Sequence, residues 1–271
     1  MLGFNKKTTG RRRLTFIVFS ALIFVSFFLL PKASWPKNLE FLRLWSVASF
    51  CIALVTGVIA LIKLVTRKKN KYVFIAAAFL GVALLEGYSL FTSLSGTALL
   101  WMLSAILLSG YLLLSLKTWR EGEGEQKGLR PRVYISGAVS AFLIITLVTL
   151  LPNYDPYNSI GIFGRPIELP AVLLFASAIL GYYKKGYWEF KYFEYWLVLS
   201  LLSAFFAQIA MSLSFDYFDS MFFGAIVLKN LGYVFALIGL LMSTWAAFRE
   251  VEAEKKYLAG HTKGEAYLKE K

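Results

Sequence analysis

The sequence predicts an all-α membrane protein, a bundle of about eight transmembrane helices with both termini on the cytoplasmic side. Three observations predict it. Only 17% of the 271 residues are charged, whereas an ordinary soluble domain has about 25%. The mean hydropathy is +0.62. The basic residues gather on one side of the apolar stretches, as they do in polytopic membrane proteins.

Eight apolar stretches qualify as spans, given that a helix needs about 20 residues to cross the hydrocarbon core. The stretch at 169–183 is short, because Pro166 and Pro170 restrict the backbone where it begins. The connections are brief and polar, since hydrocarbon cannot satisfy irregular backbone. In chain order the eight spans are 14–30, 44–65, 72–92, 98–116, 133–151, 169–183, 195–213 and 222–248.

The basic residues set the orientation. Of the 29, 24 precede the first span, follow the last, or flank the second, fourth and sixth connections. The remainder are Lys32, Lys37, Arg43 and Arg165 on the opposite side and Lys229 inside a span. Basic residues mark the cytoplasmic face, so we expect a multi-pass protein of a prokaryotic inner (plasma) membrane. Short basic clusters suit lipid headgroups, and we expect no nucleic-acid partner, which would need one basic face.

The two ends of the chain predict a retained anchor and a helical tail. The basic leader and apolar run before Ala33 and Ser34 also fit a cleaved signal peptide, which would leave seven spans. The run is long for that role, so we favour an anchor. We expect one membrane domain over 1–248, followed by a charged cytoplasmic tail, 249–271. No breaker precedes Gly260, so the last helix should continue into this tail for two or three turns.

The small number of cysteine and histidine residues excludes most metal and redox sites found in membrane proteins. The chain has one cysteine and one histidine, too few for a disulfide framework, a bis-histidine haem or a histidine-rich zinc site. No Gly-rich phosphate loop or Ser-His-Asp set is recognisable. We therefore expect no metal, no cofactor and no enzymatic activity.

Polar residues at membrane depth are the candidate site, because such groups are costly and mark function or pairing. Glu86 lies roughly 21 Å from the cytoplasmic boundary and Lys229 roughly 10 Å below the outer one, at about 1.5 Å per residue. Gln208 falls in the same layer and Asn230 follows Lys229. The pair could be a structural lock between helices, or an outward-facing pocket for a ligand, ion or proton. Alternatively, Lys229 could snorkel to the interface, which would leave Glu86 protonated.

The longest outer connection, 152–168, contains Asn, Asp, Gly and Pro and should be rich in turns. Its candidate functional residues are Tyr154, Asp155, Tyr157 and Arg165. Two interpretations remain open. The connection is either a solvated loop or a lid over an outward-facing pocket.

Several short motifs in the chain point to a known family: the stretch Phe-Leu-Gly-Val-Ala-Leu-Leu-Glu at 79–86, Trp101, the loop start at 151–152, Leu228-Lys229 and Gly232-Tyr233. On these motifs, residues 38–255 resemble the third type of membrane-associated sensor domain. Such modules precede bacterial histidine kinases and diguanylate cyclases. The sequence departs from the family where Ser89, and Ala225 with Ile226, stand in place of two histidines. No kinase or cyclase follows in this chain, so the resemblance implies a detached module, a diverged relative or a piece of a larger sensor.

The resemblance implies a sensor-like signalling module that detects a small or membrane-borne cue. Glu86 and Lys229 would form the core of its site, with Gln208 and Asn230 as secondary contacts. The last helix would pass the signal to a cytoplasmic partner or a homodimer. One alternative is a small transporter or transporter subunit that uses the same charged pair. Another is a structural or assembly protein.

Overall fold

The computed structural model describes residues 6–36, 38–67, 69–117, 129–150, 157 and 159–269. In these ranges the regular structure is helical apart from an isolated bridge between Ile160 and Phe163, which confirms the all-α class. Among the described residues, eight helices are long and apolar enough to cross a membrane. They are α1 (Lys6–Leu29), α2 (Leu39–Arg67), α3 (Lys71–Ser89), α4 (Leu94–Lys117), α5 (Leu129–Leu150), α6 (Leu169–Lys184), α7 (Tyr192–Ser212) and α8 (Ser220–Lys269).

Two helices, α3 and α7, form the centre of the bundle and are the most buried. Helix α3 packs against α2, α4 and α5, whereas α7 packs against α1, α6 and α8. Contacts of α2 with α8, and of α4 with α6, join the two groups. Helix α3 can be enclosed because it carries small residues at Ala76, Ala77, Ala78 and Gly81, which let neighbouring backbones approach closely.

Helices α1 and α5 lie at the edge of the bundle and expose large apolar side chains, such as Ile17 and Phe142. This surface suits contact with lipid, because lipid tails are themselves apolar and the side chains need not be buried within the protein. Helix α1 packs on the α7 side, where the rings of Phe16 and Trp188 lie 4.6 Å apart. A retained first helix would make these contacts; its retention stays a prediction.

Helix α8 crosses the bundle and then continues, unbroken, to Lys269. The tail is therefore helical from 249 to 269, further than the two or three turns predicted, and Gly260 does not end the helix. With 50 residues at 1.5 Å each, α8 is roughly 75 Å long. One continuous helix thus joins the interior of the bundle to a point well beyond it.

A close approach fixes the register of α7 against α8. A Cβ at Gly232 would lie 3.1 Å from the carbonyl oxygen of Ser200. The hydroxyl of Ser203 donates a 2.7 Å hydrogen bond to the carbonyl of Leu228. Because Lys229 is the next residue, this register determines where its side chain enters the core.

The bundle has a basic end and an opposite end. At the basic end lie the start of α1, the ends of α2, α4 and α6, the starts of α3, α5 and α7, and the continuation of α8. This is the end that the distribution of basic residues predicts to be cytoplasmic.

Candidate functional site

The structure brings Glu86 and Lys229 together near the opposite end of the bundle. Lys229 Nζ, from α8, donates a 2.8 Å hydrogen bond to Glu86 Oε1, from α3. The side chains are 7% and 0% exposed, respectively, so Lys229 does not snorkel to the interface. Enclosed in this way, the pair interacts far more strongly than a surface ion pair would.

Two aromatic residues complete the surroundings of this pair. The Lys229 ammonium lies 4.2 Å from the centroid of the Trp101 ring on α4, within the range of a cation–π interaction. The hydroxyl of Tyr233, one turn beyond Lys229, faces the Glu86 carboxylate. Trp101 and Tyr233 were noted in the sequence only as points of family resemblance.

A second ion pair lies beside the first and was missed by the sequence analysis. Arg165 Nη2 and Glu168 Oε1 are 2.7 Å apart, and the side chains are 0% and 1% exposed. Arg165 also donates to the carbonyl of Ala98 at 3.3 Å and to the sulfur of Met211 at 3.0 Å. The sequence does contain a signal for this pair, namely an acid three residues after an arginine, immediately before a predicted span.

Whether the connection is a solvated loop or a lid stays open, but Arg165 itself is buried rather than solvated. Its burial follows from Gly164, where a Cβ would lie only 1.9 Å from the carbonyl oxygen of Ser214. Glycine alone permits this approach, and the Arg165 amide then donates to the carbonyl of Ser212 at 3.1 Å. The short helical turn Pro166–Glu168 carries Glu168 back under the arginine.

The two pairs form one unit, here called the charge layer: Glu86, Lys229, Arg165 and Glu168. Lys229 is close enough to attract Glu168 as well as Glu86. Formal charge in the layer is balanced within the described ranges, with two acids and two bases. Because each charge has a partner of opposite sign, burying these four side chains costs less free energy than burying unpaired charges.

The connection above the layer is partly described. The Tyr157 ring lies 4.7 Å from that of Tyr217 and 5.5 Å from the guanidinium carbon of Arg165. Burial raises the pKa of the Tyr157 phenol, although Arg165 opposes the shift. Tyr154 and Asp155 lie outside the described residues, so their part in a lid stays a prediction.

Asn230 follows Lys229 in the chain but forms its hydrogen bonds outside the charge layer, and Gln208 is buried on α7. The Ser49 hydroxyl of α2 donates to Asn230 Oδ1 at 2.9 Å, and Asn230 Nδ2 donates to the carbonyl of Ile226 at 3.0 Å. Asn230 thus ties α8 to α2. Gln208 is buried, and its Oε1 has no hydrogen-bond partner among the described residues.

A cavity of about 260 Å³ lies just beyond the layer at the opposite end. Five of its nine lining residues carry a hydroxyl group, and Arg43 is the cation among them. The wall comprises Leu39, Leu42, Arg43, Ser46, Ser89, Leu90, Thr92, Ser93 and Thr97. Ser89 donates to the carbonyl of Glu86 at 2.6 Å. Ser46 lies three residues before Ser49, the partner of Asn230. The wall of the cavity is therefore one helical turn from the charge layer.

A different group of buried charges lies at the other end of α3, here called the basic-end cluster: Lys63, Lys71 and Glu194. Lys71 Nζ donates to Glu194 Oε1. Lys63 Nζ lies 5.3 Å from the ring centroid of Tyr72 and 6.0 Å from that of Phe193. In the sequence these lysines predict only the topology, and Glu194 was not among the predicted site residues.

Comparison with known proteins adds no identity. The chain matches no family model, no curated protein and no solved structure. The resemblance to sensor domains thus stays a prediction.

Proposed function

We propose that this protein is a membrane sensor module in which the charge layer and the neighbouring cavity respond to a small cue and α8 carries the response. One observation carries the proposal. Lys229 pairs with Glu86 in the core, and the same unbroken helix continues to Lys269. A displacement of Lys229 would therefore be felt at the far end of α8.

The balance of the charge layer supports such a response. If a ligand or a proton neutralised Glu86, the Lys229 ammonium would lose its hydrogen-bonded partner at 2.8 Å. A buried charge that loses its partner is strongly destabilising, so a rearrangement that relieved it would be favoured. A cue can shift a conformational equilibrium only by such a difference in interaction between two states.

The cavity indicates the class of cue. The hydroxyls of Ser46 and Ser89 donate to main-chain carbonyls, so their remaining capacity is to accept hydrogen bonds. Arg43, on the same wall, supplies charged donors suited to an acidic group. We infer a small polar molecule that carries both hydrogen-bond donors and an acidic group.

The resemblance to sensor domains supports the same assignment. In that family the last helix leads to a kinase or cyclase, and here α8 leaves the bundle at the basic end. We propose a cytoplasmic signalling partner or a homodimer as the recipient, in a prokaryotic inner membrane. No catalytic role is proposed.

A small transporter is the second candidate, favoured by a cavity that ends one turn from a buried acid and base. In that case Glu86 and Lys229 would bind the substrate or relay protons.

Distance measurements by electron paramagnetic resonance test the sensor proposal. Spin labels are placed at Val65→Cys and Glu252→Cys, both exposed in the parent, after Cys51→Ser removes the single native cysteine. Glu86→Gln should shift the distance distribution by about 2 Å or more, as helix shifts in switching proteins do. Adding Lys229→Met should restore the parent distribution.

Glu40→Gln is the matched control, since it neutralises an exposed acid at the same end of the bundle and should change nothing. A Glu86→Gln distribution that superimposes on the parent would contradict the sensor proposal. If substrate flux in proteoliposomes is lost in Glu86→Gln while α8 stays in place, the protein is a transporter.

A further inference from the structure

We propose that the basic-end cluster, together with the start of α7, binds the phosphate group of an anionic phospholipid. The decisive residue is Lys63, which is only 4% exposed. Across the described part of the chain its Nζ has no hydrogen-bond partner. A lysine ammonium has three donors, and burying them unused is unfavourable.

The residues around Lys63 do not neutralise it. Glu194 is already the partner of Lys71, which leaves two basic residues and one acid in the three-residue cluster. The rings of Tyr72 and Phe193 attract the ammonium but offer no acceptor of the strength of an anionic oxygen. One added negative group would balance the cluster, as Glu168 balances Arg165 in the charge layer.

The start of α7 supplies donors beside this charge. Phe193, whose ring lies near Lys63 Nζ, is the second residue of the helix. Lys191 precedes the helix and provides no side-chain cap. The first amide groups of a helix lack partners within it and favour an anion, as does the helix dipole. A buried ammonium and an uncapped helix start therefore converge on one place.

The position favours a lipid over a soluble anion. Arg67 and Lys69 are exposed around the cluster, and Lys191 is half-buried; all three are close enough to act on its lysines electrostatically. Tyr192 and Phe190 are each 40% exposed on the same connection, as aromatic residues are at a membrane interface. Basic pockets between transmembrane helices at the cytoplasmic side are where anionic headgroups bind.

Native mass spectrometry of the detergent-solubilised full chain measures the binding directly. The parent should retain phosphatidylglycerol in preference to phosphatidylcholine. Lys63→Met should weaken phosphatidylglycerol binding by roughly fivefold, the effect of one basic residue near an anionic surface. Lys63→Arg should keep the binding, and Lys184→Gln, which removes an exposed charge at the same end, should leave it unchanged.

Glu194→Gln separates binding from folding, because it removes the competing carboxylate and should strengthen phosphatidylglycerol binding even though it breaks the pair with Lys71. Equal binding by the parent and Lys63→Met would overturn the proposal, and so would an equal loss in Lys184→Gln. If millimolar inorganic phosphate displaces the lipid, the ligand is a soluble anion and the lipid assignment is wrong. None of these results depends on the sensor proposal, which concerns the other end of α3.

Discussion

Helix α3 has a buried ion pair near each end, and the two pairs differ in their surroundings. Glu86 and Lys229 lie beside a second pair, Arg165 and Glu168, so the charge layer is balanced. Lys71 and Glu194 lie beside Lys63, which adds a positive charge with no counterpart in the cluster. Both sets of side chains are buried, but the charge layer has two acids and two bases, whereas the basic-end cluster has two bases and one acid.

Buried charged residues therefore have two kinds of surroundings in the same bundle, one with equal numbers of acids and bases and one without. In a balanced layer, removing any member leaves a partner stranded, so each residue stabilises the fold only as part of the set. In the basic-end cluster, substituting Lys63 should relieve the fold, because its buried ammonium has no acceptor among the described residues; under the lipid proposal this lysine serves to bind an anionic headgroup. Substitutions at the two ends should therefore act in opposite directions.

The largest effect should follow from Glu168→Leu, which strands the fully buried Arg165. We expect a loss of about 3–5 kcal/mol in the free energy of unfolding, measured by reversible denaturation in micelles. Glu189→Leu is the control, since Glu189 pairs with an Arg13 whose side chain is 59% exposed and exposed pairs contribute little. If both variants lost the same free energy of unfolding, Arg165 and Glu168 would not be part of a balanced set of buried charges.

Gly164→Ala should break the charge layer without altering any charge. The added Cβ would meet the Ser214 carbonyl oxygen at 1.9 Å, so the connection must move and take Arg165 with it. We expect a loss of about 1–3 kcal/mol, as for overpacked cores. Gly110→Ala, in an open position within α4, should be neutral or slightly stabilising, and a loss as large there would argue against the steric explanation.

Lys63→Met and Lys229→Met give the sharpest contrast between the two ends. In detergent without anionic lipid, Lys63→Met should raise the free energy of unfolding by about 1 kcal/mol, because it removes an uncompensated charge. Lys229→Met should lower it, since Glu86 and Glu168 both lose an attracting cation. If the free energy of unfolding fell by the same amount in both variants, the two ends of α3 would not differ in this way.

The smallest effect concerns the phenol of Tyr157, which reports whether the charge layer is closed to water. Burial raises its pKa, so at pH 11 the parent and Tyr157→Phe should show nearly equal tyrosinate absorbance. Any contribution of the neutral phenol to the free energy of unfolding is fully present below about pH 10, the ordinary pKa of tyrosine. It declines as the pH rises through the higher folded-state value. A full tyrosinate difference at pH 11 would show an open layer.

The sequence predicted the class and the eight spans because both depend on composition and length, which are local properties. The meeting of Glu86 and Lys229 followed from matched depth, since helices of known direction place residues at calculable heights. Depth cannot tell which helix faces point toward each other, so Trp101 and Tyr233 were not recognised as neighbours of the pair. The burial of Arg165 depends on one backbone contact at Gly164, which no periodic pattern encodes. Glu194 was missed because it lies among lysines that already had a topological explanation.

A double-mutant cycle on Glu86→Gln and Lys229→Met tests the central claim most directly. The measured quantity is the free energy of unfolding of the parent, both single variants and the double variant in the same micelles. If the two side chains form one buried pair in a balanced layer, the double variant should be more stable than the sum of the single losses allows, with a coupling of about 2 kcal/mol or more. Losses that simply add would contradict the account, because the acid of α3 and the base of α8 would then be energetically independent.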